Sequence, residues 1–269
     1  MVRVVRRAFG TRRVGHTGTL DPAASGLLLV LVGPAVRLSR YLVGLPKVYR
    51  GAIRLGETTD TDDATGSVLS RSDSWNNLDA ASIAAAMQRL TGVREQVPPA
   101  YSAKHVGGER AYRIARRGQP VQLAPVLVEI KRFELLSLEG PDVWFEAEVG
   151  SGTYLRSLAR DLGAGLGCGA HLRELRRVQV GDFAVEDAFS LEAIRSGEAR
   201  LISPLEALKH LPRIDIDPET ARRVRLGQPL EGDRPGAGGG PVVLAQGEEL
   251  VAVAEPKRGR LQPKVVLAS

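Results

Sequence analysis

Residues 14–26 read Val-Gly-His-Thr-Gly-Thr-Leu-Asp-Pro-Ala-Ala-Ser-Gly, and this stretch holds a single carboxylate, Asp21. Pro22 pushes Asp21 toward extended backbone geometry, and the surrounding glycines allow turns that other residues resist. Residues 27–32, Leu-Leu-Leu-Val-Leu-Val, are continuously apolar and predict a buried strand directly after the loop. The sequence therefore predicts a lone, sheltered acid on a tight loop at the mouth of a sheet.

The size and composition of the chain indicate a globular protein. Its 269 residues suffice for one substantial core and a small second domain. The longest apolar run, 27–32, is far too short to cross a bilayer, and arginines interrupt any signal-peptide pattern at the start. Cys168 is the only cysteine, which excludes an intrachain disulfide and cysteine-rich zinc sites. We therefore expect a cytoplasmic protein that does not contact a membrane.

The charge of the chain points to a polyanionic partner. The net charge is +6 and the pI is about 9.8, values that favour binding to nucleic acid. Arginine accounts for 31 of the 37 basic residues, and its forked guanidinium suits phosphate oxygens. A GC-rich genome would produce the same excess of arginine, so composition leaves both explanations open.

Hydrophobic spacing and turn residues predict alternating helices and strands. Asp79 and Thr153 stand where side-chain N-caps of helices are expected, and Gly140-Pro141 marks the turn of a hairpin. After residue 212 the sequence becomes rich in short apolar runs around a flexible turn at 235–241. The predicted helices cover 2–9, 35–43, 79–91, 109–117, 153–166 and 190–196, and the predicted strands cover 27–32, 48–55, 126–136, 143–149, 242–245 and 250–254.

Metal sites and common hydrolytic sites do not match the sequence. Asp60, Asp62 and Asp63 suggest a calcium loop, but Ala64 occupies a position where an EF-hand needs an oxygen ligand. This favours a solvated polar loop at 57–66 over a metal site. The sequence has no Gly-x-Ser-x-Gly elbow, and a glycosidase would need a second carboxylate. The pattern suggests chemistry that uses one carboxylate and excludes water.

The stretch from Gly15 to Gly26 resembles the signature of the TruB family of tRNA pseudouridine synthases. Further resemblances to this family follow in the same order along residues 1–185. They are Lys47-Val48-Tyr49; Thr59-Asp60-Thr61-Asp62; Pro98-Pro99-Ala100-Tyr101-Ser102-Ala103-Lys104 with Gly107, Arg110, Tyr112 and Ala115-Arg116; Ser151-Gly152-Thr153-Tyr154-Leu155-Arg156-Ser157-Leu158; Gly169-Ala170-His171-Leu172; and Leu175-Arg176-Arg177.

The resemblance implies a fold and a reaction. The fold would be the α+β pseudouridine synthase fold, a mixed, largely antiparallel sheet with flanking helices, plus a small C-terminal β module. The reaction would convert uridine 55 in the tRNA T-loop to pseudouridine, after the base flips into the Asp21 pocket. The resemblance implies no metal and no cofactor, and we expect a monomer that binds the T-arm of tRNA.

The resemblance also implies roles for individual residues. Asp21 would be catalytic, either attacking the sugar or acting as a base, and Arg156 would pair with it and keep it ionised and aimed. Without the resemblance, each residue also has a plainer interpretation: a turn-capping aspartate, core side chains or solvated surface cations. The residues implied to bind substrate, besides Arg156, are Tyr49, Tyr154 and Leu175 at the base, His16 at the T-loop, and Lys104 and Arg110 at phosphates.

Two features of the resemblance bear on the extent of the chain. We expect a catalytic domain over 1–211 and a C-terminal PUA-like RNA-binding module over 212–269. The family normally opens with a strand that carries K-P-x-G-x-T-S, and this motif is absent here. A misassigned start codon is the explanation that we favour over a true truncation.

The rival functions are a non-catalytic tRNA-binding protein and a guide-dependent synthase.

Overall fold

The computed structural model describes residues 1–102, 104–106, 108–231 and 239–267. Most of the predicted turn at 235–241 lies outside these residues, as do Ala103 and Gly107 of the quoted motif. The chain forms two compact units. The central unit contains residues 20–27 and 44–187, and the terminal unit contains residues 1–19, 28–43 and 188–269. The domain boundary expected between residues 211 and 212 stays a prediction.

Helices and strands are mixed along the whole of the described chain. Short 3-10 helices cover Gly33–Leu38, Ser74–Asn77 and Val185–Asp187. The α-helices are α1 (Val2–Ala8), α2 (Ser39–Leu42), α3 (Ala80–Arg89), α4 (Ala111–Arg116), α5 (Leu155–Leu166), α6 (Leu191–Ser196), α7 (Pro204–Ala207) and α8 (Pro218–Arg225). The strands are β1 (Val14–His16), β2 (Ser25–Gly26), β3 (Val30–Val32), β4 (Lys47–Leu55), β5 (Glu57–Thr59), β6 (Val68–Arg71), β7 (Gly92–Gln96), β8 (His105–Val106), β9 (Glu109–Arg110), β10 (Val126–Glu139), β11 (Asp142–Val149), β12 (Ala170–Val180), β13 (Phe183–Ala184), β14 (Arg213–Asp215), β15 (Leu230–Glu231), β16 (Val242–Gln246), β17 (Glu249–Lys257) and β18 (Arg260–Val266).

A seven-stranded sheet forms the framework of the central unit. Its strand order is β13-β12-β4-β11-β10-β7, and every neighbouring pair in this order is antiparallel. The short strand β2 pairs with β12 in parallel, so the sheet is mixed but largely antiparallel, as predicted. Helices α3 and α5 pack on one face of this sheet. The fully buried side chains of this core include Ile53, Ile83, Met87, Ile130, Phe145, Leu158 and Leu162.

Several sequence features explain these elements. Asp79 caps α3 by accepting a hydrogen bond from the Ser82 amide at 2.8 Å, which confirms its predicted role. The predicted hairpin is present, with β10 and β11 joined at Gly140 and Pro141. Helix α5 buries the apolar face that its spacing predicts.

Two local predictions are wrong. The strand predicted over 27–32 covers only Val30–Val32, because the preceding residues connect two different sheets. Thr153 does not cap α5: the N-cap is Tyr154, without a side-chain cap bond, and the Thr153 hydroxyl instead donates to the Glu129 carbonyl at 3.5 Å. Tertiary contacts therefore replace the local cap at the start of this helix.

The terminal unit contains a five-stranded sheet in the order β14-β16-β17-β18-β15. Strands β14 and β16 are parallel and the other pairs are antiparallel. Both strands predicted from the apolar runs at 242–245 and 250–254 are present, and each is longer than predicted. Helix α8 packs against this sheet through Ala221 and Val224. Within the described residues, no helix is long and apolar enough to span a membrane.

Candidate active site

An ion pair between Asp21 and Arg156 is the centre of the candidate site. Arg156 Nε donates to Asp21 Oδ2 at 3.0 Å, and Nη2 donates to Oδ1 at 3.2 Å. The two parallel bonds fix the orientation of the carboxylate as well as its position. Side-chain exposure is 7% for Arg156 and 40% for Asp21. The expectation of a sheltered acid is therefore wrong for this structure: the guanidinium is buried, while the carboxylate faces an open pocket.

The loop that carries Asp21 is held against β12 by hydrogen bonds. The carbonyl of Asp21 accepts from the Ala24 amide at 2.9 Å, which closes a turn over Pro22. Gly26 then pairs with Arg177 in parallel, and the Leu27 amide donates to the Arg177 carbonyl at 2.8 Å. Arg177 Nε also donates a hydrogen bond to the Leu27 carbonyl at 2.7 Å. This arrangement holds the end of the Asp21 loop against a central strand.

Gly26 is required by this close approach. Its φ is +100°, and a Cβ atom there would lie 2.1 Å from the Arg177 carbonyl oxygen. A side chain at this position would be strained by its backbone conformation and would also collide with β12. The glycine that closes the quoted sequence stretch is therefore the residue that lets the loop reach the sheet.

The first turn of α5 positions Arg156. The Gln96 side chain accepts from the Tyr154 amide at 2.9 Å and donates to the Tyr154 carbonyl at 3.1 Å. One turn later, Ser157 Oγ donates to the Val97 carbonyl at 2.8 Å. These bonds tie the start of α5 to the segment after β7, and Gln96 is itself buried. Of the backbone groups at the start of this helix, Gln96 satisfies the Tyr154 amide, and the Tyr154 carbonyl also accepts from the Leu158 amide.

The acidic loop at 57–66 also holds Arg156. Arg156 Nη1 donates to the Thr61 carbonyl at 3.3 Å and lies 3.6 Å from Asp63 Oδ2, and Nη2 donates to the Tyr101 carbonyl at 3.1 Å. The other oxygen of Asp63 accepts from Thr61 Oγ1 at 2.8 Å and from the Thr65 amide at 2.9 Å. The guanidinium is thus surrounded by acceptors, and most of its hydrogen-bonding capacity is used.

A second ion pair braces the same loop. Arg160, one turn after Arg156 on α5, donates to Asp62 Oδ2 at 3.1 Å and to the Val97 carbonyl at 2.9 Å. Burial raises the pKa of the Asp62 carboxyl, and the Arg160 cation opposes that rise. The interpretation of this loop as a solvated polar loop is therefore wrong, because Asp62 and Asp63 are structural acceptors. Among the described residues, no group of three or more His, Cys, Asp or Glu side chains is placed to hold a metal ion.

These residues border an open pocket of about 270 Å³ of empty space, including the space at its mouth. Its wall is polar at Asp21 and Arg156 and apolar at Leu175, and it includes the small side chains of Ala23 and Ala24. The residues that line it are Asp21, Ala23, Ala24, Asp63, Ala64, Arg156, Leu172, Arg173, Glu174 and Leu175.

The structure brings the predicted base-contact residues to this region. Leu175 lines the pocket, and Tyr49 is its diagonal neighbour across β4 and β12, because Tyr49 pairs with Arg177. Tyr154 is half-buried at the start of α5. Burial raises the pKa of its hydroxyl, the Asp21 carboxylate adds to the rise, and the Arg156 cation opposes it. The Tyr154 phenol therefore stays protonated beside the ion pair.

The three predicted RNA-contact residues do not line the pocket. Lys104 and Arg110 are exposed on a small hairpin formed by β8 and β9, and the Lys104 carbonyl accepts from the Ala111 amide at 2.8 Å, which closes this hairpin onto α4. His16 lies on β1 in the terminal unit, with an exposed ring whose Nδ1 accepts from the Gly18 amide at 3.4 Å. All three side chains are accessible to a large ligand.

Sequence reasoning missed several residues that support the site. Gln96, Asp63 and Arg160 make the contacts described above; Gln96 and Arg160 were assigned no role, and Asp63 was interpreted as part of a solvated loop. Asp63 directly follows the Thr59–Asp62 block, so its position beside that motif could have identified it as a residue of the site. Lys47, also in a recognised motif, is buried at the start of β4, and burial together with the nearby Arg177 cation lowers its pKa to about 8.

Comparison with protein families places both parts of the site in known domains. Residues 6–155 match the family model described as TruB family pseudouridylate synthase, N-terminal domain. Residues 156–208 match the model described as tRNA pseudouridylate synthase B C-terminal domain. Asp21 therefore lies in the first matched region, and Arg156 is the first residue of the second.

Curated relatives extend this similarity over the whole chain. A protein named tRNA pseudouridine synthase B from Thermobifida fusca is 45% identical over 278 residues, covering 100% of this chain and 93% of that protein. The protein of the same name from Gloeobacter violaceus is 42% identical over 271 residues, covering 98% of this chain and 92% of that protein.

Solved structures share the fold. The chain is similar, with a TM-score of 0.73 and 22% identity, to a chain in a structure of an H/ACA RNP bound to a substrate RNA containing 2′-deoxyuridine; the match covers 100% of this chain and 80% of that one. It is also similar to a chain in a crystal structure of a Cbf5-Nop10-Gar1 complex, with a TM-score of 0.69, 25% identity and coverage of 98% and 78%.

Proposed function

The chain belongs to the TruB family of pseudouridylate synthases, and from this we propose that it isomerises uridine 55 in the T-loop of tRNA, with Asp21 as the catalytic group. Membership of the family makes the chain a tRNA pseudouridine synthase, an isomerase with the α+β pseudouridine synthase fold. The choice of nucleotide, the flipping of the base and the roles of individual residues are the proposed part.

The bidentate Asp21–Arg156 pair at the open pocket is the observation that carries the assignment of Asp21. Within the pocket lining, Asp63 and Glu174 are the other carboxylates. Asp63 is 14% exposed and is engaged by Thr61, Thr65 and Arg156. Glu174 lies near Arg173 on the surface of β12. Asp21 combines an oriented carboxylate with an exposed face, which is what a group that meets substrate needs.

The reaction balances without any additional reactant. The bond between uracil N1 and the ribose C1′ breaks, the base turns, and a bond forms between C5 and C1′; C5 loses a proton and N1 gains one. Asp21 either adds to C1′ or removes a proton from the adjacent C2′, so both routes need the carboxylate beside the ribose of the target nucleotide. Arg156 orients it throughout. The reaction needs no oxidant, and we propose that the enzyme acts as a cytoplasmic monomer without a cofactor.

We assign the target base to the aromatic and apolar side of the site. A uridine that leaves its stack loses contacts that an aromatic side chain can replace, worth roughly 1–3 kcal/mol per base. Tyr154 lies next to the ion pair, and Tyr49 lies diagonal to Leu175. Tyr49, Tyr154 and Leu175 would hold the flipped base so that its sugar faces Asp21.

The remaining predicted residues would hold the RNA outside the pocket. Lys104 and Arg110 present exposed cations on the β8–β9 hairpin, where phosphate contacts would position the substrate without reading its sequence. His16 offers an exposed ring to the T-loop. The small C-terminal β module would add a PUA-like RNA-binding surface.

A guide-free assay with an unmodified tRNA transcript tests this function. The purified full-length chain should form pseudouridine at position 55 of the bare transcript, mapped by a pseudouridine-specific chemical adduct. Asp21→Asn should form none while binding the transcript within about twofold of the original affinity, because phosphate contacts supply most of that affinity.

The same assay separates the alternatives. Binding without product by the unaltered chain would support a non-catalytic tRNA-binding protein. A requirement for added guide RNA would support a guide-dependent synthase. Equal loss of binding and product in Asp21→Asn would contradict the assignment of Asp21. A matched control, Asp182→Asn, changes a carboxylate that does not line the pocket and should leave turnover unchanged.

A further inference from the structure

The positive charge of this chain is concentrated at its beginning. Residues 1–20 contain five arginines and no acidic residue, so they carry +5 of the total net charge of +6. All residues after Leu20 together carry only +1. An excess of arginine spread evenly through the chain, as codon usage would produce, does not explain this distribution.

The five arginines share one exposed region of the terminal unit, which we call the arginine strip: Arg3, Arg6, Arg7, Arg12 and Arg13. The first three have the i, i+3, i+4 spacing that places side chains on one face of α1. Val5 is buried on the other side of this helix, which packs against α6 and β1. The last two lie in the turn before β1. All five side chains are exposed.

These guanidinium groups have no anionic partner in the part of the chain that the structure describes. Among the described residues, none of the five side chains makes an ion pair or a hydrogen bond. Several exposed arginines elsewhere are ion-paired. Arg71 pairs with Glu57, Arg195 with Glu192 and Arg260 with Glu231. The strip is therefore a group of unneutralised cations, and such a group attracts a polyanion.

We propose that the arginine strip binds the phosphate backbone of the RNA substrate outside the nucleotide that enters the pocket. The inference rests on the proposed function, because that function supplies the polyanion. A tRNA has one phosphate per nucleotide, so a substrate that offers one uridine to the pocket still has a long backbone to be held. The strip contacts phosphates only, and so contributes affinity and placement but no choice of sequence.

Salt dependence of binding is the direct test, since each neutralised phosphate releases counterions. Affinity of the full-length chain for an unmodified tRNA transcript is measured between about 50 and 200 mM salt. The variant Arg3→Gln/Arg6→Gln/Arg7→Gln should reduce the slope of log affinity against log salt by about 2 to 3, and should weaken binding at least about tenfold at the lower salt concentrations. The double variant Arg12→Gln/Arg13→Gln should reduce the slope by about 1 to 2.

The control removes the same charge from ion-paired positions: Arg71→Gln/Arg195→Gln/Arg260→Gln. It should change the slope by less than about 1, because these cations are already neutralised. In turnover, the strip variants should raise KM and keep kcat at saturating RNA. Thermal melting of each variant verifies that it folds.

The outcomes are distinct. An unchanged slope in both strip variants, or an equal change in the control, would overturn the proposal. Failure of the unaltered chain to form pseudouridine would contradict the proposed function instead, and the binding slopes would still decide the role of the strip.

Discussion

Asp21 and Arg156 are 135 residues apart in the chain and share two hydrogen bonds, yet only the arginine is buried. The guanidinium contacts the Asp21 loop, the acidic loop and the Tyr101 carbonyl at once. It is therefore the point at which three separate segments of the central unit are joined, and the exposed carboxylate takes its orientation from this junction.

Replacing Arg156 with lysine should damage turnover far more than binding. A lysine keeps the charge but cannot donate two parallel bonds to Asp21 while also reaching Thr61 and Tyr101. We expect kcat to fall roughly 100-fold, the effect of a small misplacement of a reacting group. Single-turnover rates and RNA affinity, measured on the same preparation, separate the two effects.

The matched control is Arg54→Lys. Arg54 also makes two bonds to one carboxylate, at 2.7 and 2.8 Å from Asp142, but it does not line the pocket. Its replacement should leave kcat within about threefold of the original value. Similar losses in both variants would mean that general destabilisation, and not the orientation of Asp21, explains the effect.

Gly26→Ala should displace the Asp21 loop. The added Cβ would meet the Arg177 carbonyl in addition to the strain of a φ of +100°. The strain alone costs roughly 1–3 kcal/mol, and the collision can be relieved only by moving the loop away from β12. We expect activity to be lost and the free energy of unfolding, measured by urea denaturation, to fall.

Gly92→Ala tests the strain of a positive φ without a collision. Gly92 has a φ of +93°, and a Cβ atom added there would have no other atom within 4 Å. It should be less destabilising than Gly26→Ala by at least about 1 kcal/mol and should keep its turnover. If the two variants lose equal stability and equal activity, the close approach to Arg177 is not what makes Gly26 necessary.

Gln96→Leu should loosen the start of α5. The change removes two hydrogen bonds to the backbone of Tyr154 and leaves the Tyr154 amide without its partner, while the carbonyl still accepts from the Leu158 amide, at a cost of about 2 kcal/mol. Because Arg156 is two residues further on, kcat should fall as well. Denaturation and turnover are both measured.

Thr153→Ala is the corresponding control, since sequence reasoning assigned the cap of α5 to Thr153. Its hydroxyl only reaches the Glu129 carbonyl at 3.5 Å, so its removal should change stability by no more than about 0.5 kcal/mol. A larger loss for Thr153→Ala than for Gln96→Leu would restore the capping interpretation.

Lys47 should make stability depend on pH in a defined direction. Burial and the Arg177 cation lower the pKa of this lysine from 10.5 to about 8. Between these two pH values the unfolded chain binds more protons than the folded one, so the stability contributed by this group rises with pH. The destabilisation from its buried charge is fully present below about pH 8.

The variant Lys47→Met lacks this dependence. Its stability relative to the unaltered protein should decline from pH 7 to pH 10 by at least about 1.4 kcal/mol, the equivalent of one pKa unit. Lys131→Met, at an exposed lysine that pairs with Glu148, should show no comparable change. Parallel stability curves for Lys47→Met and the unaltered protein would show that the Lys47 ammonium is not desolvated.

The sequence by itself determined the local elements and the identity of the central acid. Apolar spacing predicted α3, α5 and the β10–β11 hairpin because period and turn residues act over a few neighbours. The quoted motif singled out Asp21, and the resemblance of the stretch from Ser151 to Leu158 pointed to Arg156. The motifs together pointed to the family and to the fold class. Asp79 was predicted as a cap for the same reason: a cap bond joins residues three apart.

Only the tertiary structure decided how these parts meet. The burial of Arg156, its contacts with Thr61 and Asp63, the anchoring of α5 by Gln96 and the exposed face of Asp21 depend on segments far apart in the chain. Local patterns carry no information on such distances, so the acidic loop was interpreted as solvated and Thr153 as a cap. Both interpretations were wrong because long-range hydrogen bonds form at these positions. Buried polar groups bond to the partners that the fold brings near them.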